Sequence, residues 1–388
     1  MDGRDSFAFL LNPRHGRPGV AVLPRRGFER AKEAITGWAG YAPTPLVGLA
    51  AIAGALGVGV VRLKDEGPRF GLGSFKALGG AYAVGRLLEA ALAREGVARS
   101  ATAEELASGQ YEGATGQITV TCATDGNHGR SVAWGAQRFH CRCVIFVHET
   151  VSQGRVDAIA GFGAEVIRVP GNYDDAVREA ARQAEANGWF VVSDTSYPGY
   201  TEVPRDVMQG YRLMAEEAAD QWAGAPPTHV FMQAGVGGAA AAVSVHLRDR
   251  FDPVPLLVVV EPAHAACLMA SAAAGVPTVV SGSLETMMAG LACGEPSLLA
   301  WQELERAAFA FMSITDASAA AAMRELADNG VAIGESGVAG LAALRLAAQD
   351  PRTRAALQMT GDSRILLFGT EGITDPVLYE KICGSRRS

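Results

Sequence analysis

The chain has 388 residues and a formal charge of −7, from 34 Lys and Arg against 41 Asp and Glu. That length predicts two domains, and the acidic balance excludes general binding to nucleic-acid backbones or anionic membranes. A hydrophobic fraction of 49% excludes disorder. The longest smooth apolar stretch, Leu46–Val61, falls short of the roughly 20 residues of a spanning helix. The apolar run Phe7–Leu11 is shorter than the roughly 7–15 residues of a secretory signal. The six cysteines contain no C-x-x-C pair. They read as reduced thiols of a cytoplasmic protein, with no metal site.

In chain order, nearly continuous apolar runs predict strands at Val58–Lys64, Gln117–Thr121, Arg142–His148, Glu165–Val169, Trp189–Ser193, Thr228–Met232, Pro255–Val260 and Arg364–Phe368. Alanine-rich segments between them predict helices at Phe75–Glu95, Gly129–Phe139, Gln153–Gly161, Tyr173–Asn187, Pro204–Trp222, Gly238–Asp249, Ala317–Asn329 and Val338–Gln349. Such alternation means an α/β protein with a largely parallel sheet. The polar stretch Val97–Gln117 reads as a surface connection. The turn cluster Asp194–Tyr200 predicts a domain boundary.

Ligands of open α/β sheets gather at the carboxyl ends of strands, and four such segments carry chemistry. In Gly71–Gly80, Lys76 stands among glycines at a loop-to-helix junction. It is either a helix-start lysine reaching solvent or a desolvated amine suited to a Schiff base. In Thr121–Arg130, small residues with Asp125, Asn127 and His128 open a helix, where backbone N–H groups suit a carboxylate. In Gln233–Ala240, glycines after a strand suit a phosphate at a positive helix end. Gly235-x-Gly237-x-x-Ala240 fits a dinucleotide fingerprint equally well, with Glu261 near the place of a ribose-binding acid. In Gly369–Gly372, a hydroxyl at a strand end suits a heterocycle nitrogen, although a plain turn explains the spacing.

Taken in order, Ser74-Phe75-Lys76, Asp125-Gly126-Asn127-His128, Gly235-Val236-Gly237-Gly238 and Thr370 resemble the fold-type II pyridoxal 5′-phosphate enzymes, the tryptophan synthase β and threonine dehydratase superfamily. The likeness spans roughly Tyr41 to Asp375. Within it, the stretches Lys64–Lys76, Ala123–Arg130 and Glu285–Pro296 look like the diaminopropionate ammonia-lyase family. Asp125 stands where ordinary dehydratases carry serine, and Asp194 matches a second carboxylate of the lyases. The sequence departs from the wider pattern at Gly369, where the superfamily has serine.

The resemblance implies two open twisted, mostly parallel sheets flanked by helices, with the active site between the domains. The large domain that binds the cofactor would be residues 1–78 and 196–388, and the small domain carrying the Asn127 loop would be 79–195. Lys76 would hold pyridoxal 5′-phosphate, the amides of Gly235, Val236, Gly237, Gly238 and Ala239 its phosphate, Asn127 its ring hydroxyl oxygen and Thr370 its ring nitrogen. The substrate carboxylate would meet the loop Thr124, Asp125, Gly126, Asn127, His128. An amine leaves only when protonated, so the substrate would carry a β-ammonium, and carboxylates suit that cation better than a serine hydroxyl does. Asp125 would deprotonate the D enantiomer and Asp194 the L enantiomer, releasing ammonia and then pyruvate. A homodimer acting on a small amino acid is also implied. The competing readings are a serine or threonine dehydratase of the same fold, a nicotinamide-dependent dehydrogenase using the Gly235 loop and Glu261, and a non-catalytic amino-acid sensor.

Overall fold

The computed structural model describes residues 7–124 and 126–384. Its strands are β1 (Phe7–Leu11), β2 (Leu46–Gly48), β3 (Val60–Asp65), β4 (Thr119–Ala123), β5 (Arg142–His148), β6 (Glu165–Val169), β7 (Phe190–Val191), β8 (His229–Gln233), β9 (Leu256–Pro262), β10 (Ala308–Ile314) and β11 (Arg364–Gly369). Contacts divide the chain into two units. The first comprises Met1–Val22, Pro43–Pro68 and Met214–Ser388, and the second Leu23–Ala42 and Arg69–Leu213.

The first unit is built on a seven-stranded sheet in the order β1-β10-β9-β8-β11-β3-β2. The five strands from β10 to β3 are parallel, whereas β1 and β2 join antiparallel at the two edges. The central strands carry apolar runs, such as Val230–Met232, Leu257–Val260 and Ile365–Phe368, because both faces are covered, and their polar residues stand towards the strand ends. Phe231, Val258, Val260, Ile365 and Leu367 belong to one buried cluster with Leu341 and Leu344 of the helix Ala339–Gln349 and with Met323. Each side chain of this kind contributes roughly 1.5–3 kcal/mol when fully buried.

The second unit has a parallel four-stranded sheet in the order β6-β5-β4-β7. Its helices pack closely because small residues face each other. A Cβ on Gly80 of the helix Ala77–Arg94 would lie 1.8 Å from Ser131 Oγ, and one on Gly135 would lie 2.7 Å from Ala81 Cα. A Cβ on Gly210 of the helix Glu202–Gln221 would lie 1.8 Å from the Leu78 carbonyl oxygen. These contacts fix the start of the helix that follows Lys76.

The apolar stretch Leu46–Val61, too short to span a membrane, folds as β2, the helix Ala50–Leu56 and the start of β3. Two expectations need correction. Val97–Gln117 is not a bare connection. It holds the helices Ala103–Ala107 and Glu112–Thr115, the first started by a reciprocal cap between Thr102 and Glu105. The strand expected over Trp189–Ser193 shrinks to β7, because the backbone beyond it turns to form the Asp194 loop. Among the described residues, no helix is long and apolar enough to cross a membrane.

Candidate active site

In the second unit, Lys76 sits at the N-terminal boundary of the helix Ala77–Arg94. Its carbonyl accepts from Ser131 Oγ at 2.9 Å, and its amide donates to Ser74 Oγ at 3.3 Å. The backbone is thus held from two sides, and the side chain reaches Asp194 with Nζ 2.5 Å from Oδ2. Both side chains are about a fifth exposed, at 18% and 19%. Nζ also lies 5.4 Å from the centroid of the Phe75 ring and 5.6 Å from that of Tyr211.

Asp194 follows β7 on a pinned loop. The Tyr200 hydroxyl donates to the Val191 carbonyl at 2.8 Å and accepts from the Ser193 amide at 3.0 Å. Burial pushes the Asp194 carboxyl up, but the Lys76 ammonium, helped by His128, outweighs it and holds the group well below the usual carboxylate range. At neutral pH it is an anion.

The loop before the helix Asn127–Arg138 is shaped by Thr124, whose hydroxyl accepts from the amides of Gly126 and Gly129, both at 3.0 Å. The Thr124 amide itself donates to Phe146 of β5. Two of the amides that sequence reasoning offered to a carboxylate, those of Thr124 and Gly126, are therefore engaged within the fold. Asn127 and His128 begin the helix, where amides have no intrahelical acceptor. Asp125 lies outside the described residues. His128 is buried, and its Nε2 is 2.7 Å from the Val192 carbonyl. A carbonyl only accepts, so Nε2 carries a proton. Burial lowers the ring's pKa, against the opposing pull of Asp194, so the ring is neutral and its Nδ1 is an acceptor. Nδ1 lies 3.9 Å from Asp194 Oδ2 and has no hydrogen-bond partner among the described residues. A carboxylate and an imidazole acceptor therefore lie side by side, an arrangement suited to an ammonium group.

In the first unit, β8 runs into the loop Gln233–Gly237 and the helix Gly238–Arg250. Gly237 adopts φ +96°, which side chains rarely tolerate. A Cβ on Gly235 would meet Cys293 Sγ at 3.0 Å and Leu291 Cα at 3.2 Å. The protein packs against one side of the loop, and the first amides of the helix that follows have no intrahelical acceptor. Thr370 lies directly after β11 and is buried, and Gln233 Nε2 lies 2.7 Å from its hydroxyl oxygen. The same Nε2 donates to the Phe368 carbonyl at 2.7 Å, while Gln233 Oε1 is buried without a partner among the described residues. Gly369 has a steric reason to lack a side chain: a Cβ there would lie 2.6 Å from Ile333 Cδ1. A serine there would displace the Ile333 and Leu63 side chains, and the neighbouring hydroxyl is that of Thr370.

Sequence reasoning left several residues here without a role. Gln233 holds Thr370, Glu371 accepts from the Ser336 amide at 2.8 Å, and Tyr211 walls Lys76. None stands in a spaced motif, and only the contacts find them. The dehydrogenase reading fails at Glu261. It is fully buried, and its two carboxylate oxygens accept from the Leu268 and Met269 amides at 2.7 and 2.8 Å. The group that would have held a ribose instead caps the helix Cys267–Ala274.

The residues present fit pyridoxal phosphate. Within the second unit a lysine amine lies beside a carboxylate, as a Schiff-base anchor needs; within the first unit a glycine-bounded helix start and a buried hydroxyl near an orphaned amide oxygen suit a phosphate and a ring nitrogen. The chain belongs to the family of pyridoxal-phosphate dependent enzymes, whose model matches residues 38–368. Within that class it is 41% identical over 356 residues to the diaminopropionate ammonia-lyase of Escherichia coli (strain K12), covering 89% of this chain and 88% of that one. The crystal structure of the selenomethionine-incorporated holo Escherichia coli enzyme has a TM-score of 0.90 at 37% identity, over 98% of this chain and 97% of that one. The Escherichia coli enzyme in complex with an aminoacrylate-PLP azomethine reaction intermediate gives a TM-score of 0.87 at 36% identity, over the same shares of 98% and 97%.

Proposed function

We propose that this chain is a pyridoxal-phosphate-dependent carbon–nitrogen lyase that eliminates ammonia from 2,3-diaminopropionate, giving pyruvate and a second ammonia. The observation that carries the reading is the Lys76–Asp194 pair, with Nζ and Oδ2 2.5 Å apart, in a chain 41% identical to a curated lyase of that name. Bound through Lys76, the cofactor supplies an electron sink for the substrate's α-carbon. The amides of Gly235, Val236, Gly237, Gly238 and Ala239 would take its phosphate, Thr370 its ring nitrogen and Asn127 its ring hydroxyl oxygen.

The protein's own groups do the rest. The Asn127 and His128 amides, at the positive start of their helix, orient the substrate carboxylate. Asp194 takes the α-proton of the L enantiomer. Its low pKa in the structure reflects the Lys76 cation; once that cation is gone, burial makes the carboxylate a stronger base. Asp125 serves the D enantiomer from the described loop's neighbouring position in sequence. The β-ammonium is a good leaving group only while it keeps its extra proton. Asp194 Oδ and His128 Nδ1, two acceptors 3.9 Å apart, suit that cation better than the neutral hydroxyl of serine. This favours the diamino acid over the dehydratase reading. The released aminoacrylate hydrolyses in water. A homodimer located in the cytoplasm is part of the same proposal.

The test is pyruvate formation from each enantiomer of 2,3-diaminopropionate, from serine and from threonine. Wild type turns over the diamino acid fastest, and Lys76→Ala loses both the visible absorbance of the loaded enzyme and pyruvate. Asp194→Asn loses about 10²–10⁴-fold on the L form while keeping the D form within about tenfold. Equal loss on both enantiomers sinks the division between two bases. Faster turnover of serine or threonine moves the reading to a dehydratase. Sedimentation of the loaded enzyme as a monomer rejects the dimer.

A further inference from the structure

Tyr211 lies on the helix Glu202–Gln221 and is 1% exposed, yet its hydroxyl has no hydrogen-bond partner among the described residues. Leaving a buried hydroxyl unpaired costs free energy, and a phenylalanine would fill the same space without that cost. The ring is not free to turn elsewhere. It packs on Phe75 with centroids 4.6 Å apart, and it lies so close to the helix Ala77–Arg94 that a Cβ on Gly79 would fall 2.4 Å from Tyr211 Cε1. Close packing thus holds an unsatisfied phenol beside the Lys76 amine, whose Nζ is 5.6 Å from the ring centroid.

The need for a second partner follows from the chemistry assigned to Asp194. In the structure that carboxylate is spent on Lys76. When it takes a substrate proton or meets a β-ammonium, it cannot also hold the lysine. We propose that Tyr211 is a positioning residue for Lys76. Its ring and that of Phe75 wall the amine, and its hydroxyl is the partner the amine takes whenever Asp194 is drawn to the substrate. This rests on the reading of Lys76 as the attachment point. The charged and titratable groups around the phenol are Lys76 and Asp194, with His128, Cys122 and Tyr200 next to Asp194. Burial raises the phenol's own pKa, opposed by Lys76, so it stays protonated at neutral pH and acts as a neutral hydrogen-bonding group.

The experiment compares wild type with Tyr211→Phe, which keeps the ring, and Tyr211→Leu, which removes it. It reads the visible absorbance of the cofactor-loaded protein against pH without substrate, the cofactor dissociation constant, the melting temperature, and kcat and KM on 2,3-diaminopropionate. For Tyr211→Phe the absorbance midpoint moves by about one pH unit and kcat falls about tenfold, with KM within twofold and an unlowered melting temperature. Tyr211→Leu shows the same shift and also holds the cofactor more weakly. An unmoved midpoint in Tyr211→Phe overturns the proposal, and so does a kcat loss that merely follows the melting temperature or the cofactor occupancy. The midpoint needs no substrate, so it reports on Tyr211 even if another amino acid is the true substrate. An absorbance band that persists in Lys76→Ala would instead remove the attachment point, and this proposal with it.

Discussion

Replacing Lys76 with Met keeps the length of the stem and removes the charge that governs Asp194. Burial pushes the Asp194 carboxyl up, and the Lys76 ammonium overrules it. A hydrogen bond to a charged group contributes about 1.5–3 kcal/mol, or about 1–2 pH units. Without the cation only burial and the weaker His128 influence remain, so the carboxyl's pKa rises above the ordinary 3.8. The sign of the linkage then reverses. In the wild type, a depressed carboxylate gives stability that is fully present above the unfolded value and is lost as pH falls through the folded one. In Lys76→Met, the native state binds the proton more tightly than the unfolded chain does. Stability is then lost as pH rises from the unfolded value through the new folded one. The deficit of the variant therefore grows from acid to neutral pH. With roughly 2.1 cal/mol/K per residue, the chain has an unfolding entropy of roughly 0.8 kcal/mol/K, so about 1.5–3 kcal/mol corresponds to roughly 2–4 °C. Calorimetry of the cofactor-free proteins between pH 3 and pH 7 (~unit steps suffice) reads the two curves directly. They converge at the acid end and separate by roughly 2–4 °C at neutrality. A separation independent of pH would refute the reasoning and assign the loss to packing alone.

Other consequences are open to the same kind of measurement. Gly237→Ala forces a side chain onto φ +96° and puts its Cβ 3.1 Å from Ala300 Cβ; strain of about 1–3 kcal/mol weakens cofactor binding about tenfold or more, and an unchanged dissociation constant by fluorescence titration would remove the loop from the phosphate site. Gly210→Ala sets a Cβ 1.8 Å from the Leu78 carbonyl oxygen. Overpacking there costs about 1–3 kcal/mol or more, seen as a lowered denaturation midpoint, and a wild-type midpoint would mean that the two helices part freely. Glu261 is pushed up to about 8 by burial, against the Leu268 and Met269 amides. Its native state holds the proton, so stability falls as pH rises from the ordinary 4.5 towards 8. Glu261→Gln flattens that decline, and an equal decline in both proteins would show that another group titrates.

What the sequence disclosed follows the range of the forces involved. The strand Arg142–His148 and the helix Tyr173–Asn187 were legible to the residue, because one is a continuous apolar run and the other repeats alanines on one face. β10 was missed because Ala308–Ile314 follows directly on the helix Leu298–Ala307 with no turn residue between them. β1 and β2 are edge strands only five and three residues long, too short for a pattern. In the site, local spacing singled out Lys76 and the Gly235 loop but left each with two readings, and only the family likeness chose between them. Asp194 entered only through likeness to a family, since its bond to Lys76 spans 118 positions. Tyr211 and Gln233 could not be found at all, because an orphaned hydroxyl or amide oxygen is a property of surroundings rather than of neighbours in the chain.

The pairing of distant strands also says something about how the molecule is made. In the larger sheet, β1 pairs with β10 from Phe7↔Ile314 to Leu11↔Ala310, and β3 pairs with β11 from Val60↔Arg364 to Asp65↔Gly369. The smaller sheet draws all four strands from Thr119–Val191. A ribosome releasing the chain from its amino end completes the smaller sheet while β1 still lacks its antiparallel partner β10 and β3 its parallel partner β11. The larger sheet waits for the last strand, β11, which sits between β8 and β3. Long-range parallel pairing is slow and leaves strand edges exposed. The strand Arg364–Gly369 is therefore a checkpoint for the whole sheet: a chain cut short before it presents the bare edges of β8 and β3 to its neighbours, and aggregation rather than loss of chemistry is its fate.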